Sequence, residues 1–306
     1  MERIIAIVSD IHTNRAAWKA VKADLLAQKV DDIWSLGDWF GYSNQDPLGF
    51  WDEIRRKDAK NPNVLDSLIH HPEEHAVLGN HDLAVLVDDQ DYEALIAQFN
   101  DRAKSTIERQ RKQLRSSKSW KDIQDWLKRT RYVLSPERGV YVTHAGFNFQ
   151  NVDLIPLQNT KTNADRQTNF TQLTNWLTTT NNVQNEKIFS YDGWDAPRLL
   201  VTGHTHKPGA WYRDANSYRW MELEGASIPK EEIEACKQEY KNIAWKVQFN
   251  FSKDNPIWLN PGSVGKPRDI PKEAWKDHYW AQYITVGYEK YSGSATYRWI
   301  AYQGKE

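Results

Sequence analysis

Six short polar motifs are spread along this chain, most of them where a run of strand-like apolar residues stops, and no other feature limits its fold so strongly. In order they are Asp10-Ile11-His12, Gly37-Asp38, Gly79-Asn80-His81-Asp82, Thr143-His144-Ala145-Gly146, Gly203-His204-Thr205-His206 and Asn260-Pro261-Gly262-Ser263-Val264-Gly265. Residues 4–8 are continuously apolar, as expected for a strand covered on both faces. Residues 33–36, 76–78, 138–143 and 199–202 read as further strands. A helix fits Ala16, Trp18, Val21 and Leu25, with Thr13 or Asn14 as its cap, and helical pieces follow over about 46–57. Strand, helix, strand, helix, strand is the pattern of a parallel sheet with crossover helices. Such sheets bind ligands outside the carboxyl ends of their strands, which is where these motifs fall.

The 306 residues carry 40 Lys and Arg against 41 Asp and Glu, a formal net charge of −1. That balance argues against a long polyanionic partner, so nucleic acid is not the expected ligand, nor is an anionic membrane. Mean hydropathy is −0.78, and no apolar run approaches the ~20 residues a membrane-spanning helix needs. The apolar start is too short for a secretion signal and reads as the first buried strand. Cys236 is the single cysteine; it cannot close an internal disulfide, which fits a reducing cytoplasm. Residues 101–131 hold 11 Lys and Arg against 4 Asp and Glu, expected as a solvated basic face rather than a docking stripe.

Residues 92–129 look helical throughout, with Ile96, Phe99, Ala103, Ile107, Gln110 and Leu114 on one stripe. A second helix there carries Trp120, Ile123, Trp126 and Leu127. Residues 229–241 look helical, 245–251 alternate like a half-buried strand, and 279–302 suggest a closing antiparallel hairpin. No repeat or linker interrupts the chain. The expectation is one α/β domain over 1–306 with insertions at about 148–190 and 210–256. Trp39 and Phe40 are candidates for stacking a base or for packing beneath their loop. His70, His71, His75 and His278 read as ordinary surface histidines.

Asp10 with His12, and His204 with His206, are two apart after strands; in extended geometry such side chains point the same way. Asp38 offers one carboxylate able to bridge two cations, Asn80 an amide oxygen, and His144 another imidazole, with His81 to spare. Mixed nitrogen and oxygen donors without thiolate suit Mn²⁺, Fe²⁺/Fe³⁺ or Zn²⁺ better than Ca²⁺ or Mg²⁺. Two such cations about 3.5–4 Å apart can ionise a bridging water and grip phosphoryl oxygens. The ordered set therefore reads as a two-metal hydrolytic site.

These residues, with Gly37-Asp38-Trp39-Phe40-Gly41-Tyr42, Leu78-Gly79-Asn80-His81-Asp82 and Asn260 through Asp269, resemble the calcineurin-like metallophosphoesterase superfamily. They are similar in particular to its compact bacterial phosphodiesterase and diadenosine-tetraphosphatase-like branch. The resemblance runs from residue 3 to about 290, outside the two insertions. It implies a four-layer αββα sandwich, two mixed β-sheets flanked by helices, with a dinuclear site at the loops after the strands. One metal would take Asp10, His12, Asp38 and His206; the other Asp38, Asn80, His144 and His204. His81 would contact the scissile phosphate and steady or protonate the leaving oxygen. Asn14 and Arg268 are candidate phosphate contacts. The implied activity is phosphodiester hydrolysis by in-line attack of a metal-bridging hydroxide on a small phosphoester or nucleotide, with Mn²⁺ as the supporting ion. Diadenosine tetraphosphate and phosphomonoesters are the alternative substrates, and a metal-free scaffold or a nuclease the rival roles. Protein phosphatases of the superfamily carry Asp-Arg-Gly after Gly-Asp, and that Asp orients the catalytic His. Gly41-Tyr42 stands there instead, leaving the orienter of His81 unassigned.

Overall fold

The structure, a computed structural model, describes residues 3–56, 62–97, 99–137, 139–144, 198–204, 206, 208–214, 217–222, 242–250, 257–265, 279–288 and 292–303. The first apolar run forms β1 (Arg3–Val8), and α1 (Arg15–Gln28) follows, buried through Ala17, Trp18, Val21 and Leu25. Asn14 caps α1, its Oδ1 accepting from Ala17 N at 3.1 Å. Next come β2 (Asp32–Ser35), α2 (Pro47–Arg55), α3 (Pro62–His70), α4 (Pro72–His75) and α5 (Asn80–Leu86). The stretch expected to be helical over 92–129 is three helices, α6 (Asp89–Ile96), α7 (Asp101–Arg115) and α8 (Trp120–Arg129). The first break falls where Asn100 turns its side chain back to cap α7 through Ala103 N at 3.0 Å.

The remaining elements are β3 (Val133–Leu134), β4 (Val140–Thr143), β5 (Leu199–Thr202), β6 (Pro208–Asp214), β7 (Ser217–Glu222), β8 (Ile243–Asn250), β9 (Ile257–Pro261), β10 (Tyr279–Tyr288) and β11 (Ser292–Tyr302). They build two mixed sheets, ordered β2-β1-β10-β11-β8 and β3-β4-β5-β9-β6-β7. β1–β2 and β4–β5–β9 are parallel; the other pairings are antiparallel, the β10–β11 hairpin among them. The excursion expected at 210–256 thus contributes β6, β7 and β8 to the sheets. The one expected at 148–190 and the helix expected over 229–241 lie outside the described residues.

Side-chain parity explains the layers. Ala6 and Val8 of β1 pack with α1 and the other helices, while Ile5 and Ile7 pack against Val140, Val142, Leu199 and Val201 of the second sheet. β10 repeats this, with Ala281 and Tyr283 toward the helices and Trp280, Ile284 and Val286 between the sheets. A strand buried on both faces has no polar side to show, hence the unbroken apolar runs. The strand expected at 76–78 is corrected to isolated bridges, Ala76 to Ser35 and Val77 to Arg131; three residues between two chain segments are too few for a ladder. No helix among the described residues is long and apolar enough to cross a membrane.

Candidate metal centre

The loops leaving β1 and β2 in one sheet and β4 and β5 in the other meet, together with the start of α5. Asp10, His12 and His206 form one group of potential ligand atoms, and Asp38, His144 and His204 another. His206 Nε2 is 3.2 Å from Asp10 Oδ1 and 3.0 Å from His12 Nε2. His144 Nε2 is 2.9 Å from Asn80 Oδ1, 3.3 Å from His204 Nδ1 and 3.4 Å from Asp38 Oδ2. Asp38 Oδ2 also lies 3.8 Å from His12 Nε2, so the groups share this carboxylate edge. The seven residues expected as ligands are therefore neighbours, and all but the half-buried His204 are buried.

Their approach is not the extended geometry expected of i and i+2 pairs. Asp10, His12, His204 and His206 have φ of 53°, 51°, 65° and 60°, and Asp38 has 56°. Each pair leaves its strand through left-handed turns. Backbone bonds hold the first two turns side by side: Asp10 N to Gly37 O, His12 N to Asp38 O and Thr13 N to Trp39 O, at 2.7–3.0 Å. The closing motif supplies clamps instead of ligands. Ser263 Oγ and Gly265 N donate to Asp10 O, and Asn260 Nδ2 to Gly203 O, at 2.8–2.9 Å.

The donor set fits divalent cations. Nδ1 of His12 faces Phe40 O at 3.0 Å and Nδ1 of His144 faces Leu36 O at 2.7 Å. A carbonyl only accepts, so these Nδ1 atoms carry hydrogens and Nε2 is the atom left for a cation, which would displace any proton there, the usual preparation of a ligating histidine. Asp10 Oδ1 is buried without a hydrogen-bond partner, a costly state for an anion that a cation would relieve. Burial opposes its ionisation, but His206, His144 and His12 hold the Asp10 carboxyl well below its ordinary range. Burial, reinforced by Asp10, pushes Asp38 up against the pull of His144. His144 itself is raised to about 9, the two carboxylates outweighing its burial.

His81 is buried and kept neutral by its burial and the surrounding imidazoles. Its Nε2 is 3.9 Å from Asp38 Oδ2, and its backbone N donates to Asp38 Oδ1 at 2.8 Å. Nδ1 has no hydrogen-bond partner. The ring is held by packing, against Tyr42, His12 and Phe99 at centroid distances of 4.6, 4.7 and 4.9 Å. Where an orienting carboxylate was sought stands Gly41, whose added Cβ would lie 2.1 Å from Nδ1.

Other expectations are revised. Asn14 caps α1, and its Nδ2 donates to Gly265 O and Tyr302 Oη at 3.1 and 2.8 Å. Arg268 and His278 lie outside the described residues. Trp39 and Phe40 are fully buried among Trp18, Trp126 and Phe50, so they pack beneath their loop. His75 is no surface histidine; its Nδ1 is 2.9 Å from Asp32 Oδ1. Two contributors carried no assigned role in the motifs. Asp82 accepts from Trp39 N, Phe40 N and Gly79 N at 2.9, 3.1 and 3.3 Å, bracing the Asp38 turn, and burial beside Asp38 raises it to about 7. Gln110 had stood out only as a helix-stripe position.

A model of the calcineurin-like phosphoesterase family matches residues 4–208. The crystal structure of a metallophosphoesterase from Sphaerobacter thermophilus aligns with a TM-score of 0.53 and 19% identity, covering 98% of this chain and 89% of that one; the likeness is one of fold. A conserved uncharacterized predicted phosphoesterase from Streptococcus pneumoniae TIGR4 aligns at a TM-score of 0.31 and 13% identity, covering 96% and 88%. No curated protein sequence matches.

Proposed function

The chain belongs to the calcineurin-like phosphoesterase family, and on that premise we propose that it is a two-metal phosphodiesterase acting on a small phosphoester or nucleotide. One observation carries the reading: Asp38 Oδ2 stands between a histidine of each group, 3.8 Å from His12 Nε2 and 3.4 Å from His144 Nε2. Asp10, His12 and His206 would hold one divalent ion and Asn80, His144 and His204 the other, with Asp38 serving both groups. Ions held there would supply a water of lowered pKa and compensation for charge on the phosphoryl oxygens. The chain's own part is to fix these donors before substrate arrives and to turn His81 toward the leaving oxygen, which it steadies or protonates. The nitrogen-rich donor set favours Mn²⁺, Fe²⁺/Fe³⁺ or Zn²⁺, and Mn²⁺ is the ion proposed to support turnover. A cytoplasmic setting and a single domain are part of the proposal.

A small substrate is favoured over nucleic acid by the balanced net charge, and four arginines of α7 and α8 are engaged within the chain. Arg109 donates to Asn44 and Ser43, Arg111 and Arg115 pair with Asp89, and Arg129 pairs with Glu73. The test is a Mn²⁺-dependent turnover panel of bis-p-nitrophenyl phosphate, p-nitrophenyl phosphate and dinucleoside tetraphosphates. The diester should be cleaved, and chelation should abolish it. Cleavage of the monoester alone would replace the diesterase reading, and no turnover with two bound ions would end it.

A further inference from the structure

One buried side chain outside every ligand motif ties two of the ligand-bearing turns together. Gln110, on α7, has no exposed surface. Its Oε1 accepts from Thr13 Oγ1 at 3.1 Å and from Gly41 N at 2.8 Å, and its Nε2 donates to Ser43 O at 2.9 Å. Thr13 directly follows His12, while Gly41 and Ser43 flank Tyr42 in the turn begun by Asp38. The direct backbone bonds between these turns run as far as Thr13 and Trp39. Gln110 continues the connection to residues 41 and 43.

The segments it holds are strained. Thr13 has a φ of 62° and Tyr42 of 38°, and a β-branched residue at positive φ is a backbone outlier. Such conformations persist only where surrounding contacts over-determine them. Tyr42 in turn lays its ring on His12 and His81, at centroid distances of 4.9 and 4.6 Å. An apolar side chain in place of Gln110 would leave the Gly41 amide and the Thr13 hydroxyl buried without this acceptor.

We propose that Gln110 is a positioning residue. It fixes the separation of the His12 and Asp38 turns and the seat of Tyr42 against His81, so that the donors are spaced for two cations before either binds. The inference rests on the two-metal reading and adds a residue that none of the ligand motifs contains. Its test is Mn²⁺ binding by calorimetric titration and electron paramagnetic resonance, first on the wild-type protein and then on Q110M, T13V and T13S. Q110M and T13V should each weaken Mn²⁺ affinity about tenfold or more, the scale for groups that orient metal ligands. Both should alter the resonance signal of the coupled ions. T13S, which keeps the hydroxyl, should bind as wild type. The double variant should be no weaker than Q110M, since both changes remove one shared bond. A Q110M protein that melts earlier yet keeps wild-type affinity and spectrum overturns the inference, leaving Gln110 a packing residue. Should Q110M not fold, T13V against T13S decides on the same readouts. A wild-type protein that fails to bind two ions overturns the two-metal reading and the inference with it.

Discussion

Asp10, His12, Asp38, His204 and His206 all stand in the left-handed region, at φ between 51° and 65°. Such residues cost roughly 1 kcal/mol or more each, and here the cost falls where donors must turn back over the strand ends. The neighbouring glycines show how little room the turns leave. A Cβ at Gly79 would lie 2.1 Å from Asp38 Oδ1, and one at Gly41 2.1 Å from His81 Nδ1. Gly41 also has a φ of +98°, so G41A should strain the backbone and push the His81 ring from its seat. The expected result is a kcat about 100-fold lower, the scale of a 1 Å misplacement, at Mn²⁺ concentrations that saturate the site. Steady-state kinetics with elemental analysis of the same sample would show it, and a wild-type kcat would remove His81 from the chemistry.

At the scale of elements, α4 brings His75 to the start of β2, where Asp32 also takes Arg3 at 2.6 Å. Contact with Asp32 raises His75 above its ordinary 6.5 against partial burial, and His75 with Ile33 N and Arg3 lowers Asp32 below 3.8 despite burial. A raised histidine stabilises fully below the unfolded value and loses that stabilisation as pH climbs through the folded one; a lowered carboxylate acts above 3.8 and fails as pH falls through its folded value. The pair is therefore fully formed between pH 3.8 and 6.5 and is lost as pH rises further, through the raised value of His75. H75Q should lower the unfolding free energy from urea titration at pH 6 by up to about 1 kcal/mol, as for a partly exposed pair, with the difference shrinking as pH is raised to 9. A difference curve flat from pH 5 to 9 would exclude the pair. His75 was illegible in the sequence because its partner lies 43 residues back on another element. By contrast β1, β2, β4 and β5 were legible as short apolar runs, and the β10–β11 hairpin as alternation. The candidate ligand types were legible because all of them but Asn80 follow a strand end. Their left-handed turns were not, since no local pattern separates Asp10-Ile11-His12 in an extended strand from the same residues in a turn. Asn14 was legible as a cap, yet its amide is committed by Gly265 and Tyr302, 251 and 288 residues away. Helical spacing put Gln110 on the core stripe but could not say that its amide meets Gly41 and Thr13, 69 and 97 residues distant.

Across the whole molecule, the candidate centre is a seam between two sheets. Asp10 and Asp38 leave one sheet, His144, His204 and His206 the other, and His204 N reaches Asp10 Oδ2 at 3.0 Å. Two carboxylates are thus buried beside each other, a charge arrangement that costs stability unless cations compensate it. Ions bound here but not by the unfolded chain stabilise the fold by mass action, about 2.7 kcal/mol at a free concentration 100-fold above the dissociation constant. For a chain of this size that is roughly 4 °C in Tm. Differential scanning fluorimetry should show Tm rising with the logarithm of Mn²⁺ and falling by that amount on chelation. Ca²⁺, which prefers six to eight oxygen donors, should give a much smaller rise at equal concentration. D38N should lose much of the Mn²⁺ shift while melting normally without metal, because it removes the shared ligand and one of the two buried charges together. Equal shifts for Mn²⁺ and Ca²⁺, or none for either, would show that the imidazoles between the sheets do not take up a cation.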